Sequence, residues 1–245
     1  VLDRVFGYPT ERDWKRSALL EPRVLAGEPE LLSDGSGLAF ARSALDAPDG
    51  ELPAGDPAVE ALVAQLARQK SVGDGPAQAG LDGWRLLART DDEALFGHGL
   101  PPRMVTVTMR QGSGRHPWSS VAVTKAEPLR ASRDGVRASG WRLDPSYDPE
   151  PQDTIIRVLV TEQTRAGGKR ADGRLLAPDL HVTDEELILT MFVSPLNGFY
   201  LAASVPETVA RVALPVAIGQ RRLIDGALYD SSGLDDPTRH SPTST

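Results

Sequence analysis

The stretch TIIRVLVTEQT, Thr154 to Thr164, constrains the fold more than any other part of the chain. Ile156, Val158 and Val160 alternate with Arg157, Thr161 and Gln163, the period of two that a half-buried strand requires. β-branched residues suit a pleated surface, which strengthens the strand reading. Ile155 and Leu159 make the second face partly apolar, which predicts a central strand rather than an edge.

Much of what surrounds this stretch alternates in the same way. GWRLLART points Trp84, Leu86 and Ala88 one way and Arg85 and Arg89 the other. EALFGHG returns after Asp91-Asp92 as a hairpin arm. RMVTVTMR sets Val105, Val107 and Met109 against Thr106 and Thr108, and WSSVAVTK is read with Val121 and Val123 inward. Beyond the central strand, RLLAPDLHV, ELILTMFV, TVARVALP and RRLIDG continue the pattern, while FYLAAS is either strand or loop. Between Leu129 and Asp153 the chain is polar, with Asp134-Gly135 marking a tight hairpin turn. About eight to ten short strands with turns every 8 to 12 residues predict a mainly β fold, an antiparallel β-sandwich or partly open barrel.

One helix belongs to this plan, on its N-terminal side. Asp56 is the N-cap, Pro57 takes the first helical position, and Val59, Leu62, Val63 and Leu66 recur at helical spacing. Arg68 and Lys70 suit the C-terminal end of the macrodipole, and Gly73 and Gly75 stop the helix. The expected organisation is an irregular N-terminal segment (residues 1–55), helix and linker (56–80), a β-rich main domain (81–229) and a disordered tail (230–245).

Composition narrows the chemistry. The formal net charge is -7, which disfavours nucleic acid and anionic lipid as partners and favours solubility. The chain has no cysteine, so thiolate nucleophiles, thiolate metal sites and disulfides are excluded. No apolar run reaches the length of a transmembrane helix. The beginning VLDRVFGYPTERDWKR lacks a signal-type apolar core, so the expected compartment is the cytoplasm unless a presequence is missing.

No strong catalytic motif appears. There is no G-x-S-x-G elbow, and the four histidines, His98, His116, His181 and His240, stand apart in sequence. Gly168-Lys169 is not a phosphate loop, because Gln163 and Arg170 occupy positions that need Gly and Ser or Thr. Two clusters remain as candidates. The loop around AGGKRADGR carries Arg165, Lys169, Arg170 and Arg174, enough charge for an anion or acidic partner. The loop DPSYDPEPQD carries Asp144, Asp148, Glu150 and Asp153, oxygen ligands suited to Ca²⁺, although the spacing is not that of an EF-hand. A charged hairpin tip and a solvated acidic loop are the plainer readings of both. Glu162 lies on the apolar face of the central strand, either in water at its end or buried beside an arginine. Trp14, Trp84, Trp118 and Trp141 are core residues or a sugar-stacking platform.

Three phrases, DTIIRVLVTEQ, LLAPDLHVTDEELILTMFVSPL and VALPVAIGQRRLIDG, carry a resemblance extending over Gly83 to Asp230. The pattern resembles a group of uncharacterised actinobacterial cell-envelope proteins, lipoprotein-like and β-rich. The resemblance implies an extracytoplasmic location and supplies no catalytic residue. That group's cysteines have no counterpart in TEQTRAGGKR or NGFYLAASVP.

Two functions follow as expectations. The first is a non-enzymatic envelope or surface module, without cofactor, that binds a protein, a polymer or a small ligand. The alternative is a hydrolase using acidic residues on the sheet face, such as a carboxylate pair.

Overall fold

The computed structural model describes residues 9–47, 52–72, 81–113, 118–125, 128–162, 168–196 and 206–229. In chain order these form α1 (Glu11–Arg16), β1 (Ala18–Leu20), β2 (Arg23–Leu25), β3 (Leu31–Ser33) and β4 (Ala39–Ala41). A 3-10 turn (Arg42–Asp46) and α2 (Pro57–Val72) follow. Next come β5 (Trp84–Arg89), β6 (Glu93–His98), β7 (Val105–Gln111), β8 (Trp118–Lys125), β9 (Arg130–Arg133) and β10 (Val136–Leu143). The remainder is β11 (Ile155–Thr161), β12 (Asp179–Val182), β13 (Glu186–Phe192), β14 (Thr208–Ala213) and β15 (Arg222–Asp225). The protein is thus mainly β with few helices, as the alternation predicts. The expected tail at 230–245 and the FYLAAS segment lie outside the described residues.

The chain forms two compact units, and their boundaries do not follow the expected breaks at 55 and 80. Among the described residues, the first unit takes 9–29 and 136–228, and the second takes 30–135 with Tyr229.

The first unit is a sheet in the order β1-β14-β11-β10-β13-β12-β2. Its antiparallel ladders carry the core, but β1–β14, β12–β2 and β13–β15 are parallel, which the sequence did not indicate. β1 and β2 occupy opposite ends of this order, yet only Glu21 and Pro22 separate them in sequence. Six strand spacings on a flat sheet would set them about 29 Å apart. The three-residue step from Leu20 to Arg23 spans at most about 10 Å. The sheet therefore curls until both edges converge on one segment, leaving a seam without ladder bonds between β1 and β2. Beside the seam, the Arg23 guanidinium of β2 donates to both carboxylate oxygens of Asp179, its ladder partner on β12, at 2.9 Å.

β11 lies inside this sheet, and its alternation is the predicted one. Ile156, Val158 and Val160 are buried with Trp141, Leu180, Leu187, Leu189, Met191, Ala210 and Val212. On the outer face Leu159 is covered with Val209 by Trp14 of α1. α1 is short, but Thr10 and Asp13 form a capping box that satisfies its first turn. Arg157 lies over the Trp14 ring, and Ile155 beside it is 44 % exposed.

Within the stretch Leu129 to Asp153, whose composition predicts polar loop, β10 is a strand. Its first half pairs with β13 and its second half with β11. β13 has two edges only. β12 fills one, and β15 and then β10 share the other. Where β10 leaves β13, the Asp225 carboxylate accepts from the Trp141 N–H at 3.2 Å and the Ala227 N–H at 2.9 Å. The Trp141 indole donates to the Leu189 carbonyl at 2.8 Å. Gly226 is packed so tightly that a Cβ there would meet the Thr190 hydroxyl, and Ile188 Cγ2 at 2.8 Å. The phrase LIDG is thus the clamp of the split sheet.

The second unit holds the four-stranded sheet β5-β6-β7-β8 and the small sheet of β4, β3 and β9. α2 starts as predicted, with the Asp56 carboxylate accepting from the Ala58 N–H at 2.8 Å. Burial pushes that carboxyl up, but the Ala58 and Arg89 donors outweigh it and hold it below the usual range. Ala58, Val59 and Leu62 pack on Trp84, Phe96, Val107 and Met109. Val63, read into the same stripe, is 46 % exposed. The opposite sheet face carries Leu87 and Leu95, packed with Leu32, Phe40, Leu45 and Leu129. Because layers cover both faces, Thr106 and Thr108 are buried like the residues between them, and Arg85 is buried too. Arg85 donates to the Leu45 carbonyl. Asp134 and Gly135 both have positive φ (51° and 75°), as the tight turn between β9 and β10 requires.

The two faces of β11 separate cleanly in a stability experiment. Ile156→Ala is expected to cost about 2–5 kcal/mol, as buried aliphatic truncations do. Ile155→Ala is expected to stay within about 0.5 kcal/mol. Urea unfolding of both variants measures this, and equal losses would contradict the assigned faces.

Candidate functional site

The acidic loop after β10 is held by its own hydrogen bonds. Asp144 is fully buried, and its carboxylate accepts from the Ser146 N–H (3.0 Å) and hydroxyl (2.8 Å). Asp153 Oδ2 accepts from the Tyr147 hydroxyl at 2.6 Å and the Glu150 N–H at 3.0 Å. Asp148 and Glu150 are exposed. Among the described residues no three His, Cys, Asp or Glu side chains converge to hold a metal ion. The four carboxylates proposed for Ca²⁺ therefore do not form one site. Asx-type turns use two of them as acceptors for local donors.

Tyr147 belongs to the same network. Burial pushes its phenol well above the usual range, and the hydrogen bond to Asp153 pushes in the same direction. The hydroxyl also reaches the Ile155 carbonyl at 2.9 Å, and the ring lies under Arg157. The loop is thereby tied to the start of β11.

The basic loop is divided in a comparable way. Arg165 lies outside the described residues. Lys169 and Arg170 are exposed, with Arg170 4.0 Å from Asp172. Arg174 turns inward and does not join them. Its guanidinium grips both Glu162 oxygens at 2.8 and 2.6 Å and donates to the Ser194 carbonyl at 2.7 Å. This settles Glu162, which is buried beside an arginine rather than solvated at a strand end. A carboxylate held at both oxygens is a structural acceptor, not a free general acid or base.

The aromatic and histidine candidates are likewise absorbed into the frame. All four tryptophans are buried, so none offers a face to a sugar. The His98 ring is tilted against Trp84, with centroids 5.3 Å apart. His181 Nδ1 lies 3.4 Å from the Leu25 carbonyl. His116 and His240 lie outside the described residues.

Sequence reasoning missed one feature that is open to a partner. β8 is the last strand of its sheet, and its outer edge has no ladder partner among the described residues. Val121 and Val123, expected inward, are 48 % and 39 % exposed. The period of two was right, but among the described residues the strand has a ladder neighbour on one side only, and although α2 packs on β8 the two valines stay exposed. The β7–β8 register shifts at Val121, which is the extra residue of a bulge. Arg89 lies over the Trp118 ring at 4.5 Å, securing the start of the strand. Nothing within WSSVAVTK signals an edge.

Two measurements check the assigned roles. Glu162→Gln leaves Arg174 without its counter-charge and is expected to cost about 3 kcal/mol in urea unfolding. Glu162→Leu combined with Arg174→Met is expected to cost less. The raised Tyr147 value means the folded state favours the protonated phenol. That stabilisation is complete below about pH 10 and is lost as pH rises towards the folded value. Tyr147→Phe is expected to lose about 1 kcal/mol at neutral pH and to flatten the fall in stability above pH ~10. Unchanged alkaline melting of this variant would refute the assignment.

Comparison with protein-family models, curated proteins and solved structures finds no match to the chain.

Proposed function

We propose that the protein is a non-enzymatic interaction module of the cell envelope or cell surface, and that the β8 edge is its working part. The observation that carries this reading is an eight-residue strand, Trp118–Lys125, whose outer edge has no ladder partner among the described residues and which carries two exposed valines. The unpaired N–H and C=O groups of such an edge accept another strand, and alternate side chains then select it. The buried carboxylates favour the same reading. Glu162, Asp144, Asp179 and Asp225 are each engaged by donors of the framework. The envelope location rests on the resemblance in the LVTEQ and LIDG phrases. No helix among the described residues is long and apolar enough to cross a membrane.

A photo-reactive residue replacing Ser119, exposed on β8, tests the reading in the native host. The expected result is a discrete cross-linked adduct recovered from the envelope or extracellular fraction, with no adduct from the same probe at exposed Glu185. Recovery solely in the cytosol refutes the location, and absence of any β8 adduct refutes the interaction role.

A further inference from the structure

We infer that the occupant of the β8 edge is the β8 edge of a second copy of this chain, paired antiparallel about a two-fold axis through Ala122. This rests on the interaction reading above and names its partner. Three observations carry it. First, Val121 and Val123 flank Ala122 symmetrically in WSSVAVTK. An antiparallel pairing centred on Ala122 sets each valine opposite the other valine of the partner, so exposed apolar surface meets its own kind. Second, the described strand carries a single charge, Lys125, and this register sets it opposite the partner's Ser119. Parallel pairing would set lysine against lysine. Third, two copies of a chain with net charge -7 repel one another, and the strand Trp118–Lys125 carries no carboxylate. This edge lets two copies approach without acid facing acid. A two-fold contact of this kind is self-complementary and closes at two copies.

Edge pairing buries little area, so the dimer belongs to the weak, transient class and forms as concentration rises. Added salt screens the repulsion between the two acidic chains and is expected to tighten it.

The absence of native cysteine makes the register directly readable. In the full chain, Ala122→Cys is expected to form a covalent dimer under mild oxidation or with a short bis-maleimide. Directly opposed Cβ atoms lie about 4.5–5.5 Å apart. Lys125→Cys alone is expected to stay monomeric, and a mixture of Lys125→Cys with Ser119→Cys to couple. Val123→Lys, at an exposed position, is expected to weaken association about tenfold with unchanged melting temperature. Sedimentation of the unmodified chain should show its mass rising towards two copies with concentration. A monomer at every concentration and salt, with Ala122→Cys uncoupled, overturns the proposal. It would mean that the bulge at Val121 protects the edge. If that happens while the Ser119 probe still captures a heavier adduct of different mass, only the second-copy assignment falls. If the probe captures nothing, the interaction reading falls with it. Coupling of Lys125→Cys to itself would overturn the antiparallel register.

Discussion

The first unit depends on one constraint of chain length. A two-residue link, Glu21-Pro22, joins strands that sit at opposite ends of a sheet, so the sheet has to curl. Curling gives the sheet an inside, and the inside is where Ile156, Val158 and Val160 meet Leu187, Leu189 and Val212. In the same sheet β13 does not keep one neighbour along its whole edge. β15 takes part of that edge, and the Asp225 carboxylate caps the Trp141 N–H at the divide. Buried polar groups in such a place cost several kcal/mol unless paired, which explains why Asp225, Glu162 and Asp179 all have donors within hydrogen-bond reach.

The second unit solves a different problem. Its four-stranded sheet is covered by α2 on one face and by the β3–β4 layer with its 3-10 turn on the other. Two covers make β5 to β7 dry on both sides, which blurs their alternation. β8, at the margin, stays wet. The open edge is therefore a consequence of position within the sheet. Its symmetry about Ala122 is a property of the residues that occupy it.

Charged side chains serve mainly as fasteners. Arg23 ties β2 to β12, Arg174 holds Glu162, and Arg89 bridges Asp56 at the α2 N-terminus to the Trp118 ring. The acidic loop after β10 follows the same logic. Asp144 and Asp153 accept donors from their own loop, and Tyr147 links that loop to β11. These hydrogen bonds hold the loop in one conformation.

The sequence by itself determined the class of structure, most strands beyond Gly83, the start of α2 and the dry face of β11. Those features depend on local spacing: period two in IIRVLV, an Asp-Pro cap before helical spacing, paired positive-φ residues at Asp134-Gly135. It also held open a buried arginine partner for Glu162 without naming it. Tertiary structure alone decided that Arg174 is that partner, that Arg85 is buried and that Val121 and Val123 face out. It also decided that β1 and β2 join the sheet in parallel from opposite ends. The physical reason is that periodicity records how a strand divides its two faces, whereas exposure depends on which strands lie beside it and which layers lie above and below. Those neighbours come from residues far away in the chain, as Arg23 does for Asp179.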